Sequence, residues 1–254
     1  MDNLIRFRSP SKYWRDGECL IDKPVSSHVC APSWYRELAR MMDHPRVKNP
    51  TMTIKMCPPF QEALFQGYII PAPFDFTMAC GEDGAFMQML ESGMEQDRQP
   101  LVEEVEPDLV EGGPWEGRIY RLRNYWRVET PPGYSCLMVT PLCRSSEDAP
   151  FEILPTVLHS DDDGWATVNV AFRRRFPIEV TRGTPMIQVI PFLREEWERQ
   201  LSIWDAEKLQ EIVDFREEYF SPKNRKYPEG ADTSDPDQGW GAYHKLVKVP
   251  TRFR

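Results

Sequence analysis

The chain has four histidines, and one of them stands two residues before an acid in His159-Ser160-Asp161. A His-x-Asp pair at the end of a β-strand supplies two of the three ligands of a facial Fe(II) site, with a distant histidine as the third. His244, 85 residues further on, is the only later histidine. Arg252 and Arg254 follow it, and either guanidinium would bind the carboxylate of 2-oxoglutarate as a planar bidentate donor. The chemistry these residues spell is that of an Fe(II)- and 2-oxoglutarate-dependent oxygenase. They also have a plainer reading, because Asp161-Asp162-Asp163-Gly164 has the composition of a solvated turn.

Other constellations carry less. Asp161, Asp162 and Asp163 are hard oxygen donors suited to Ca²⁺ or Mg²⁺, but three consecutive acids cannot all face one ion, and the interleaved acids of a calcium loop are missing. Arg173-Arg174-Arg175 would pair with phosphate, or simply discourage edge-to-edge pairing at a strand end. His28 and His44 lack a second soft ligand at metal spacing. No Ser-His-Asp order, phosphate-binding loop or dinucleotide fingerprint is present: Gly81-Glu82-Asp83-Gly84 reads as a turn, and Gly239-Trp240-Gly241 lacks the third glycine.

The elements that must position these residues belong to a globular chain. It has 254 residues, 41% hydrophobic, with eight Trp, thirteen Phe and nine Tyr, more large apolar groups than a disordered chain carries. Forty acids against 31 bases give a net charge of -9, which repels phosphate backbones and argues against general nucleic-acid binding. No apolar run approaches the roughly 20 residues needed to cross a bilayer, and Ser9-Pro10 interrupts the N-terminus before a signal-peptide core forms. Six cysteines without a C-x-x-C pair point to reduced thiols in a cytoplasm.

Twenty-four prolines disfavour long helices over most of the chain. A short helix is expected at 34–42, ended by Pro45, with Trp34, Leu38, Met41 and Met42 on its inward face. A helical turn after Pro59, stopped by Gly67, precedes a strand at Tyr68-Ile69-Ile70. Residues 91–117 read as a long loop or edge strands. Short β-type runs follow at 119–128, 135–140, 166–172, 178–180 and 186–192. In the third of these, Ala166, Val168, Val170 and Phe172 alternate with Thr167, Asn169 and Ala171, so one face belongs in a core. Trp197, Leu201, Trp204, Leu209, Ile212, Val213 and Arg216 carry helical spacing, which predicts a helix over 194–220 packed on the sheet by its Trp face, with Ser202 and Asp205 three residues later as a restart after a bend.

Two resemblances attach to these residues. Lys55-Met56-Cys57-Pro58, Tyr68-Ile69-Ile70-Pro71, Thr130-Pro131-Pro132-Gly133-Tyr134-Ser135 and Gly183-Thr184-Pro185 through Leu193-Arg194 together resemble an uncharacterised family of about this length in tailed phages and bacteria, which implies a phage or bacterial origin and no chemistry. Residues 155–192, an Asp-rich loop, a glycine, a strand and a Gly-x-x-x-x-Gln strand, are similar to the last third of the dUTPase and dCTP-deaminase superfamily. That similarity implies a β-clip arrangement, a homotrimer and nucleotide hydrolysis with Mg²⁺. The position of the family's catalytic acid holds His159, however, and Arg144-Ser145-Ser146 is too close to the Asp loop to be its phosphate-binding segment.

The expected fold is mainly β with α, a β-clip-like or jelly-roll-like core at 50–193 with an N-terminal arm at 1–49, a helix at 194–220 and an irregular tail at 221–254, all in one domain. The expected function is a non-enzymatic phage-type structural, assembly or interaction protein with a protein partner or self-assembly, no resident cofactor and no membrane. Its expected location is cytoplasmic or in the virion. The oxygenase with Fe(II) on His159, Asp161 and His244, and the dUTPase-like hydrolase, are the alternatives.

Overall fold

The structure is a computed structural model that describes residues 4–43, 50–80, 86–90, 101–105, 119–144, 151–162, 164, 167–172, 177–203 and 205–220. It is mainly β with a few helices. The chain divides into two compact units, Met1–Ser33 with Leu64–Glu195, and Trp34–Ala63 with Glu196–Arg254.

The first unit is built from open antiparallel sheets. The largest has five strands in the order Thr156–Leu158, Tyr134–Val139, Pro185–Leu193, Tyr68–Pro71 and Val25–Ser26. A four-stranded sheet runs Val102–Glu104, Ile119–Arg123, Thr167–Phe172 and Phe151–Ile153. A three-stranded sheet runs Ile178–Val180, Phe76–Cys80 and Phe86–Leu90. All three contribute to one apolar cluster that includes Phe76, Met78, Leu122, Met138, Val168 and Val189.

The alternation expected in the strand Thr167–Phe172 is present: Val168 and Val170 are buried, while Thr167 and Asn169 face out. The run at 119–128 is two strands rather than one, Ile119–Arg123 and Arg127–Glu129. Asn124 breaks it, because its buried side chain accepts from the Trp126 N–H (2.9 Å) and donates to the Trp126 carbonyl (2.6 Å), closing a turn on itself.

Gly67 ends the helix Pro58–Leu64 with φ +68. A Cβ there would overlap the Val189 carbonyl oxygen of the neighbouring strand, so glycine is required both by conformation and by close approach. Gln188, at the end of the Gly-x-x-x-x-Gln run, is buried and spent on the backbone. Its amide donates to the Gln66 carbonyl (2.7 Å), and its carbonyl accepts from the Leu142 N–H (2.8 Å).

In the second unit two helices differ from expectation. The first spans Ser33–Glu37 rather than 34–42. Thr53 explains the early stop: its backbone N–H takes the Arg40 carbonyl (2.9 Å), and its hydroxyl takes the Ala39 carbonyl (2.6 Å), which turns the chain into the paired strands Met41–Met42 and Thr51–Met52. The Lys55 ammonium covers the carbonyls of Arg36 (2.7 Å) and Leu38 (2.9 Å) at the frayed end.

The second helix is Ala206–Phe220, twelve residues shorter at its start than the expected 194–220. Asp205 accepts from the Lys208 N–H (2.8 Å) and is its N-cap, so the helix begins after Asp205 rather than at the restart expected with Ser202 as its cap. Trp197 therefore lies on irregular chain, and the Trp face that was to pack on the sheet is not a helical face; Trp204 lies outside the described residues. Among the described residues no helix is long and apolar enough to cross a membrane.

Candidate functional site

Three strand ends meet at one end of the five-stranded sheet. Tyr134 pairs with Leu193 and Cys136 with Leu158, so antiparallel pairing brings the start of Tyr134–Val139, the end of Thr156–Leu158 and the end of Pro185–Leu193 together. The residues that sit there are Gly133 and Ser135, His159 to Asp161, and Arg194. All of them lie in the first unit.

Arg194 organises the group. Its guanidinium donates to the Asp161 carboxylate and to His159 Nδ1 (2.8 Å), and approaches the Ser135 hydroxyl (3.3 Å). Gly133, at φ +85, ties the same residues through its peptide: its N–H donates to Asp161 Oδ2 (2.8 Å), and its carbonyl accepts from the Arg194 N–H (2.8 Å). The Gly133 N–H first, and then the Arg194 guanidinium, hold the Asp161 carboxyl below the usual carboxylate range.

The geometry fixes the imidazole. A guanidinium has only donors, so His159 Nδ1 accepts and the proton of the neutral ring sits on Nε2. The ring is exposed. Ser135 lies 3.2 Å from Nδ1, but its hydroxyl belongs to a fully buried residue and faces a nitrogen that Arg194 already occupies. That is not the arrangement of a nucleophile and its base, which needs a hydroxyl open to substrate.

A buried layer backs the group. Ser160 is buried, with its hydroxyl 2.7 Å from Thr130 Oγ1 and 3.3 Å from Cys136 Sγ. Burial pushes the Cys136 thiol up, with the Ser160 contact partly offsetting it, so this cysteine stays protonated and unreactive. The Asp162 N–H donates to the His159 carbonyl (3.2 Å), closing the expected turn, and Gly164 lies so close to Val128 that a Cβ would overlap its carbonyl oxygen.

The structure thus brings His159 and Asp161 together, as an iron site requires, but with Arg194 bonded to both. Arg194 takes His159 Nδ1 and Asp161 Oδ2, while His159 Nε2 and the buried Asp161 Oδ1 receive no bond from it. His244, Arg252 and Arg254 lie outside the described residues, as do His44, Asp163 and Arg173 to Arg175. Among the described residues no three His, Cys, Asp or Glu side chains are grouped to hold a metal. Sequence reasoning missed Arg194, Ser135 and Gly133 as parts of one site. The signal was present only as the cation that ends the apolar run at Leu193 and the Pro-Gly that precedes Tyr134.

No protein-family model matches this chain. No curated protein matches it either.

Beyond Arg194 the surface changes character. Trp197, Leu201 and Ile203 are 87%, 82% and 97% exposed, and Leu209, Val213 and Phe215 on the following helix are exposed as well. Large apolar side chains are thus open to solvent repeatedly within one stretch.

Proposed function

We propose that this chain is a non-enzymatic structural, assembly or interaction protein of phage type, acting in the cytoplasm or the virion, with a clip-like or jelly-roll-like core as its scaffold. The observation that carries the reading is the exposure of Trp197, Leu201 and Ile203, since burying such side chains against a partner removes apolar surface from water and supplies the anchors that interfaces use. The polar cluster at Arg194 supports it by contrast: the guanidinium, Asp161 Oδ2, His159 Nδ1 and the Ser135 hydroxyl are engaged with one another, as in a fastening.

The test is affinity capture from native or infected cells, together with mass spectrometry of virions, using the wild type and a Trp197→Ser, Leu201→Ser, Ile203→Ser variant. The expected result is a defined partner, or self-capture, that the variant loses while its circular dichroism is unchanged. Equal capture by both proteins, or turnover of a deoxynucleoside triphosphate or of 2-oxoglutarate, would overturn the reading.

A further inference from the structure

In a chain of net charge -9, residues 3–15 carry Arg6, Arg8, Lys12 and Arg15, and residues 117–128 carry Arg118, Arg121, Arg123 and Arg127, with no acid in either stretch. The fold joins the two. Arg6–Arg8 pairs antiparallel with Arg127–Glu129, which sets Arg6 opposite Glu129, Phe7 opposite Val128 and Arg8 opposite Arg127. Val128 is in the core and Phe7 packs against it, so strand alternation places Arg6, Arg8, Arg127 and Glu129 together on the outer face. Both strands belong to the first unit.

That face sets three guanidiniums against one carboxylate. Glu129 Oε2 lies 2.9 Å from Arg8 Nε, and its Oε1 lies 3.5 Å from Arg127 Nε. Like charges directly opposite each other destabilise a strand pair, so the facing Arg8 and Arg127 are a cost that an added anion relieves. Their side chains are 65% and 38% exposed, which leaves both open to one. Beside them stands an aromatic ring fixed at the surface: the Trp14 indole is 41% exposed, and its N–H donates to the hydroxyl of Ser9, the residue after Arg8 (2.8 Å). The Lys23 ammonium lies 5.9 Å from the ring centroid. The acid that follows on the next hairpin, Glu18, stands opposite Arg15.

We infer that this face binds single-stranded nucleic acid, with Arg6, Arg8 and Arg127 on the phosphates and a base stacked on Trp14. Guanidiniums pair with phosphate oxygens bidentately, and an exposed aromatic ring beside a cationic strand is the combination that holds unstacked bases without regard to their sequence. An acidic peptide would use the charges and leave the ring idle, while a duplex keeps its base faces stacked inside and out of reach of Trp14. The negative charge of the chain as a whole opposes broad coverage by a phosphate backbone, so the contact is confined to this face and to a few nucleotides. It goes beyond the interaction reading above, uses none of Trp197, Leu201 and Ile203, and stands independently of it.

Fluorescence anisotropy of a labelled oligothymidylate of about twelve nucleotides, titrated with the full chain at several salt concentrations, tests it. The wild type is expected to bind with a Kd of about 1–100 µM, and log K to fall against log salt with a slope of about -2, the value for three phosphate contacts on a single strand. The variant Arg6→Gln, Arg8→Gln is expected to weaken binding by at least about ten-fold and to flatten the slope to about -0.7, whereas Arg6→Lys, Arg8→Lys keeps the slope. Trp14→Ala is expected to weaken binding by at least about five-fold with the slope unchanged. That separation of charge from stacking is a pattern no misfolded variant gives. A wild type that does not bind at about 100 µM and low salt overturns the inference. So do an unchanged affinity and slope in the glutamine variant, which would place the strand elsewhere on the protein, an unchanged affinity in Trp14→Ala, and equal binding of a duplex of the same length.

Discussion

The strand Thr167–Phe172 and the stretch 194–220 both carry regular spacings of apolar residues, and the structure treats them in opposite ways. Val168 and Val170 have almost no exposure, whereas Trp197, Leu201 and Ile203 are nearly as open as in an extended chain. The strand has neighbours on both sides, Ile119–Arg123 and Phe151–Ile153, which satisfy its backbone and pin its register, so period two becomes a buried face. The stretch after Arg194 has no such pairing among the described residues, and there the local signals decide. Asp205 caps the Lys208 N–H, so the helix starts at Ala206 and the earlier Trp197 and Leu201 fall on irregular chain. Apolar spacing predicts burial only where something supplies the second layer.

The sharpest way to break this contrast is to attack the packed side where the backbones touch. Gly67→Ala places a Cβ on the Val189 carbonyl oxygen at a left-handed φ. It is expected to cost more than about 4 kcal/mol, read as loss of the folded protein in chemical denaturation. Met138→Ala, inside the same sheet with no exposure, is expected to cost about 2–5 kcal/mol in the same assay. Asn124→Ala strands the buried Trp126 N–H that its side chain satisfies and is expected to cost about 1–3 kcal/mol. On the open side, Ile203→Ser is expected to change stability by no more than about 0.5 kcal/mol while reducing association. A large loss of stability there would mean that the stretch is already covered within one chain, and the contrast would fail.

The fastening at Arg194 gives a titration rather than a melting signal. Asp161 has a folded pKa below its ordinary value, so its contribution to stability is fully present above about pH 4 and fades as the pH falls through the lower folded value. Replacing Arg194 with Ala leaves the Gly133 N–H in place. The Asp161 carboxyl is therefore expected to rise only part of the way toward its ordinary value, as followed by carbon-detected NMR. An unchanged titration would show that the guanidinium contributes nothing to holding the carboxylate.

How much of this the sequence discloses follows from which interactions are local. Ile178–Val180 and the long strand near 186–192 were readable because alternation and Pro-Gly punctuation are contained in a few residues. The hairpin of Phe76–Cys80 and Phe86–Leu90 was not named, although Phe76 and Met78 are buried and alternate with Thr77 and Ala79; Pro71, Pro73 and Asp75 masked its approach. At the site, His159 and Asp161 were legible as a pair two residues apart. Arg194, 33 residues beyond Asp161, becomes their partner only through the pairing of Tyr134 with Leu193, which no local pattern encodes. The oxygenase reading rests on the His159 and Asp161 pair together with His244, which lies outside the described residues.

Gly133 and Arg194 also bear on where the chain can be cut. The strands Tyr134–Val139 and Pro185–Leu193 share six register pairs, and their common end is clasped by one peptide and one guanidinium. Covalent continuity between them is thereby partly redundant: a polypeptide severed between residues 144 and 151 would consist of two fragments that still recognise each other. The clasp makes this sheet a natural place to split the protein into complementing halves.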